Sequence, residues 1–146
     1  MEEIVKVEEI EIVISSLDFY LIEKVRALRN STIPKISQGT LSRKLDLSDG
    51  FVSKVESFKQ KSKYNIQHIN KIINIFNLKS YSDLFPKEVI KDDMVRIKIK
   101  VTTTNAFDEK SKKFRLTKSY QVLSKIALTE KEFDIWKLRN STTLKQ

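Results

Sequence analysis

Residues 37–57 read SQGTLSRKLDLSDGFVSKVES, and their spacing sets the expected fold. Ser37 stands where a side-chain oxygen can cap a helix, and Leu41 and Leu45, four residues apart, give that helix one buried stripe. Asp46 tolerates the left-handed backbone that a helix exit often needs, so the chain can turn and Leu47 can drop back into the core. Ser48 is placed to cap a second helix in which Val52 and Val55 point inward, with Phe58 just beyond its end. The outer face keeps Asp49, Gly50, Ser53, Lys54 and Ser57. Ser42 is small enough to let the second helix cross closely over the first. The pattern is two short helices and a tight turn.

An outer face of small or hydrogen-bonding side chains is what a helix needs to enter the major groove of DNA and meet base edges. Residues 20–86 resemble the phage-repressor/Cro-type (XRE-like) helix-turn-helix family. The likeness is carried by Leu28-Arg29, Ser37-Gln38, Leu41-Ser42, Leu45, Leu47-Ser48, the run Val52-Ser53-Lys54-Val55-Glu56 and a closing Asp83-Leu84-Phe85. The segment KYNIQHINKIINIF, residues 63–76, is similar to bacterial members of that family. The family has Gly where Asp46 stands and Ala where Ser42 stands. The loop 30–36 is longer than usual, so no backbone contact is carried over from it. The resemblance implies that Gln38 holds a phosphate and braces the recognition helix. It also implies a Glu56–Arg29 salt bridge that fixes the helix crossing without touching DNA.

Charge agrees with that reading. The chain of 146 residues has a net charge of +9, unevenly spread. Residues 1–20 hold one Lys and six acids, 21–80 twelve basic and four acidic residues, and 81–146 fifteen and nine. A basic domain gathers phosphate through counterion release. Lysine-rich faces can also simply keep a small protein in solution, and the charge gains weight only alongside the motif. One His and no Cys exclude a thiolate zinc site, a disulfide framework and a Cys nucleophile, and fit a reducing cytoplasm. No apolar run approaches the roughly 18 residues of a membrane span. The acidic start MEEIVKVEE is unlike a signal peptide. No cofactor or metal is expected.

Around the motif, Ser16 or Asp18 is expected to open a helix with a stripe of Leu17, Leu21, Val25 and Leu28, ending near Asn30 ahead of Pro34. FKQKSKY, after Ser57, reads as a solvated loop whose Lys59, Lys61 and Lys63 can follow a phosphate backbone. Asn65 then caps a helix with Ile66, Ile69, Ile72, Ile73 and Phe76 as its stripe. His68, the single histidine, is assigned a capping or surface role, since one His builds neither a metal site nor a triad. Ser80 and Asp83 fit a capping arrangement for a last turn, with Leu84 and Phe85 buried before Pro86.

MVRIKIKVT alternates Val95, Ile97, Ile99 and Val101 with Arg96, Lys98 and Lys100, the mark of a half-buried strand. Residues 113–123 offer a partner across a turn at Asn105–Lys112, and IVKVEEIEIVI is β-branched enough to add a third strand, with Glu9 and Glu11 facing the cations. Thr129 and Glu132 form a capping box for a final helix anchored by Phe133, Ile135, Trp136 and Leu138, with a frayed tail after Arg139. The expected fold is therefore mainly α: a five-helix repressor-like DNA-binding domain at 16–86, a strand-like arm at 1–15, and a small β-hairpin plus helix extension at 87–146.

An enzyme would need a nucleophile, a base and a pocket. The chain offers scattered Ser and Thr, two Gly in all, and neither a phosphate loop nor GxSxG. The expected function is a non-enzymatic, cytoplasmic, sequence-specific transcriptional regulator of double-stranded DNA. Residues 48–57 would enter the major groove, with Lys54 and the serines Ser53 and Ser57 donating to bases or phosphates. Asp49 and Gly50 lie nearest the bases, where Asp can accept only from an amino group and Gly merely permits close approach. Gln38 and the Lys59–Lys63 loop would fix the register on phosphates. A homodimer reading two half-sites is expected, with an exposed strand or the Trp136 helix as its seam, although the same segments could instead complete the monomer's core. The rival reading is an antitoxin-like or accessory protein that grips a protein partner through residues 87–146. RNA binding is weaker, because no strand interleaves surface aromatics that would stack bases.

Overall fold

A computed structural model describes residues 2–144, with side chains through Arg139. The chain forms two compact units, one of residues 15–93 and one in which residues 1–14 join 94–146.

The first unit is helical: α1 (Ser16–Ser31), α2 (Gln38–Lys44), α3 (Phe51–Glu56) and α4 (Ile66–Ile75), then a single 3₁₀ turn at Tyr81–Asp83. Ser15, rather than Ser16 or Asp18, caps α1, its hydroxyl accepting from the Asp18 N–H at 3.2 Å. Ser16 is buried, and its N–H donates to the Asp93 carbonyl at 2.8 Å. That contact turns the first helical turn so that Leu17 faces outward. The buried stripe of α1 is Phe19, Leu21, Ile22 and Val25. In α4 the stripe narrows to Ile72 and Ile73, with Ile69 and Phe76 half-buried and Ile66 exposed in the first turn. Asn65 caps this helix as its sequence implies, accepting from the His68 N–H at 2.8 Å, while His68 Nδ1 accepts from the Asn65 N–H at 3.1 Å. Each fully buried Leu, Ile or Val side chain contributes about 1.5–3 kcal/mol.

Phe58 has φ 61°, an uncommon backbone for a bulky residue, and tertiary packing accounts for it. Its buried ring sits 5.5 Å from the Phe19 ring centroid and 5.3 Å from the Arg26 guanidinium carbon.

The second unit corrects the mainly α expectation. The fold is α+β, with a three-stranded antiparallel sheet ordered β1-β2-β3. Its strands are long: β1 spans Glu2–Ser15, β2 Met94–Asp108 and β3 Lys113–Ala127. Half of the predicted turn at Asn105–Lys112 is strand, because Thr102, Thr103 and Thr104 prolong the β-branched run and Phe107 and Phe114, paired across the strands at 5.2 Å, close its far end. The reversal is left to four residues after Asp108, whose carboxylate accepts from the Lys110 N–H at 3.0 Å and the Ser111 hydroxyl at 3.1 Å. These bonds to the charged form, the backbone one foremost, hold the Asp108 carboxyl below its ordinary value. Lys112 takes the left-handed backbone at φ 56°.

Alternation on β2 puts Val95, Ile97, Ile99 and Val101 at or below 2% exposure. On the opposite face Arg96 Nε lies 3.0 Å from Glu11 Oε1 of β1 and the same guanidinium pairs with Glu132. The register slips between Lys98 and Ile99, leaving Leu123 as the extra residue of a β-bulge in β3. Helix α5 (Glu130–Leu144) opens on the capping box of Thr129 and Glu132, both bonds at 3.2 Å. It runs past Arg139, where fraying was expected; Lys145 and Gln146, the end of that tail, lie outside the described residues.

Candidate nucleic-acid interface

The turn that joins α2 to α3 is built by backbone chemistry. The hydroxyl of Ser37 accepts from the Thr40 N–H at 3.1 Å and starts α2, and Leu41 and Leu45 are wholly buried. At the other end Asp46 adopts φ 61°, its N–H donates to the Arg43 carbonyl at 3.0 Å, and the Leu47 N–H donates to the Ser42 carbonyl at 3.0 Å. This is a Schellman closure, with Asp in the place usually given to Gly. Lys71 of α4 reinforces it, donating to the Leu45 carbonyl at 3.1 Å and lying 3.6 Å from the Asp46 carboxylate.

Ser48 does not cap α3. The helix begins at Phe51 with Gly50 at its cap position and no side-chain cap, while the Ser48 carbonyl accepts from the Phe51 N–H at 3.0 Å. The cap comes instead from the neighbouring helix. The buried Ser42 hydroxyl accepts from the Val52 N–H at 3.0 Å and donates to the Gln38 carbonyl at 2.9 Å, so the small residue that lets the helices approach also satisfies an orphan amide of α3.

The last turn of α3 is fixed by Glu56, 1% exposed. Arg29 donates to both its carboxylate oxygens, at 2.7 and 3.1 Å, and Arg26 donates to its carbonyl at 2.9 Å and to Oε1 at 3.4 Å. Gln38 Nε2 donates to Glu56 Oε1 at 3.0 Å. Three side chains from α1 and α2 thus converge on one carboxylate of α3. Arg29 continues to the Ile36 carbonyl at 3.1 Å, tying in the loop ahead of α2. Arg26 was not singled out by sequence, although its place one turn before Arg29 on α1 is a usable signal. Tyr64 packs nearby, and burial first, then the Glu56 charge, pushes its hydroxyl far above the ordinary tyrosine range.

Asp49, Gly50, Ser53 and Lys54 all lie exposed at the start and along the outer side of α3, with Ser57 half-buried at its end. A Cβ added at Gly50 would meet nothing within 4 Å, so the space beside this backbone is open. Asp49 pairs with Arg43 of α2 at 3.3 Å, which partly offsets its charge. Ser57 donates to the Lys54 carbonyl at 2.9 Å, leaving its hydroxyl oxygen as an acceptor, here for the Lys59 N–H at 3.4 Å.

The three lysines of the following loop do not act alike. Lys59 and Lys61 are exposed. Lys63 is half-buried, its Nζ 3.4 Å from the Gln60 and Ser62 carbonyls; desolvation lowers its basicity and the Asp18 charge partly restores it. Asp18 is raised in turn, by burial first, against Lys63 and the Ser15 hydrogen bond. Of the nine candidate residues, the structure thus places Ser53 and Lys54 on α3 with Asp49, Gly50 and Ser57 flanking it, engages Gln38 with Glu56, and separates Lys63 from Lys59 and Lys61. Among the described residues no cluster of His, Cys, Asp and Glu could hold a metal ion, and no helix is long and apolar enough to cross a membrane. No family model, curated protein or solved structure matches the chain.

Proposed function

We propose that this chain is a double-stranded DNA-binding transcriptional regulator of the XRE-like helix-turn-helix kind, acting in the cytoplasm as a homodimer without catalytic activity. The observation that carries the reading is the α2–turn–α3 pair: a closed Schellman turn, a cross-helix cap at Ser42 and a Glu56 clamp that together present the outer side of α3 to solvent. Open space at Gly50 suits close approach of a groove wall, and Lys54 one turn later carries a long donor. Ser53 and Ser57 flank it. Gln38 retains its bracing role through Glu56, and phosphate contact falls to Arg43, Lys59 and Lys61.

The test is an anisotropy titration of labelled duplexes, one from the region upstream of the chain's own coding sequence and one scrambled, at several salt concentrations. Lys54→Ala is expected to weaken specific binding by about 1–3 kcal/mol, whereas Lys61→Ala should weaken all duplexes alike and lower the salt slope by about one. Equal losses on every duplex for both variants would remove Lys54 as a base reader. Equal, salt-erased binding of the unaltered protein to both duplexes would leave only a basic surface and turn attention to a protein partner of residues 87–146.

A further inference from the structure

A sheet normally hides its outer strands, keeps them short, or interrupts them with bulges and charges, because a bare edge is a template for another strand. Here the sheet has two long outer strands of 14 and 15 residues, and both are exposed over most of their length. Ile4 on β1 is 65% exposed, and Phe114 and Leu116 on β3 are 69% and 68% exposed. Phe114, Leu116 and Val122 stand opposite Phe107, Asn105 and Ile99 of β2, so their side chains share the face that carries the buried row of β2. That face is apolar well beyond the residues it covers.

The two edges differ in charge. Strand β1 carries five glutamates against Lys6, and β3 carries Lys113, Arg115, Lys118 and Lys125 with no acid. Glutamates open β1 as Lys113 and Arg115 open β3, and Glu8 stands five residues beyond Glu3 as Lys118 stands five beyond Lys113. Pairing β1 with a second β1 would set acid against acid, and pairing β3 with a second β3 would set cation against cation; like charges facing across strands destabilise the pair. Only β1 against β3 brings opposite charges together along an edge.

We infer that a second copy of this chain extends the sheet, the acidic strand β1 of one copy pairing with the basic strand β3 of the other. The contact is heterologous, joining two different surfaces of the same chain. Ladder hydrogen bonds supply the attraction, the charges select the partner edge, and the exposed apolar side chains of β3 gain cover. It is a different contact from the two-fold homodimer of the DNA reading, and it is measured without DNA.

The experiment is sedimentation velocity on the full chain over a wide concentration range, at low and at high salt. The unaltered protein should associate, and more weakly as salt rises. Reversing one edge, by Glu3→Lys with Glu8→Lys or by Lys113→Glu with Lys118→Glu, should raise the concentration at half-association by about tenfold or more. Mixing the two reversed proteins should restore association, since a basic β1 then meets an acidic β3. If a double reversal unfolds the chain by circular dichroism, Glu8→Gln and Lys118→Gln make the same comparison with a smaller shift. A monomer at every concentration, or association that ignores both reversals, overturns the inference.

Discussion

The helical unit and the sheet unit use their side chains in opposite ways. In residues 15–93 even charged groups are drawn inward and satisfied: Glu56 is buried under Arg29, Arg26 and Gln38, and α3 receives its cap from Ser42 of another helix. In residues 94–127 apolar groups are left outside, with Phe114, Leu116 and Ile126 more than half exposed. One unit closes on itself. The other keeps a dry row on its central strand and spends the rest of its apolar surface on its edges. Polar residues inside and apolar residues outside are both informative departures from average burial, and here they point to different jobs: holding a short helix at a fixed angle, and meeting another chain.

The contrast breaks most severely at Glu56. Glu56→Ala leaves the largely buried Arg29 guanidinium without its carboxylate and Arg26 with that of Glu23, and the expected loss is about 3–5 kcal/mol of unfolding free energy in a denaturant titration. A loss under about 1 kcal/mol would mean that water replaces the clamp. Within the sheet, Ile97→Ala should cost about 2–5 kcal/mol, because Ile97 is fully buried on the central strand. Leu116→Ser on β3 should change monomer stability by no more than about 0.5 kcal/mol while weakening self-association. Equal losses for these two variants would erase the distinction between the dry row and the open edge.

The smallest expected effect is a pH dependence at His68. Its imidazole is lowered below the ordinary histidine value, by desolvation first and by the Lys71 charge second, and its Nδ1 must be unprotonated to accept from the Asn65 N–H. Because the folded state disfavours the charged ring, the unfolded chain binds more protons below the ordinary value of 6.5. The contribution is present above that pH and is lost as pH falls through the lower folded value. Unfolding titrations at neutral and mildly acidic pH should show the loss, and His68→Gln should flatten that part of the profile.

How much of this was legible follows from how local each signal is. The α2 start at Ser37, the left-handed Asp46, the Asn65 and Ser80 caps and the Thr129–Glu132 box depend on residues within one turn of each other, and each was readable from spacing. The alternation of 95–101 named the buried row of β2, and Glu11 does meet a β2 cation. The length of the sheet was not readable. The bulge at Leu123 breaks the period-two phase of β3, and the Phe107–Phe114 pairing that carries the ladder to its end exists only once the strands meet. At the candidate site the outward residues of α3 followed from helical spacing. The engagement of Gln38 with Glu56, the Arg43–Asp49 pair and the withdrawal of Lys63 did not, since each depends on contacts across elements.

Helix α3 has six residues, fewer than two turns, and a helix that short does not persist in water on its own. Its first free amide is held by Ser42 and its last turn by side chains of α1 and α2. The outward surface of α3 is therefore borrowed architecture. A peptide of residues 48–57 would not retain it, and a transplant into another scaffold would have to carry Arg26, Arg29, Gln38 and Ser42 along with the helix.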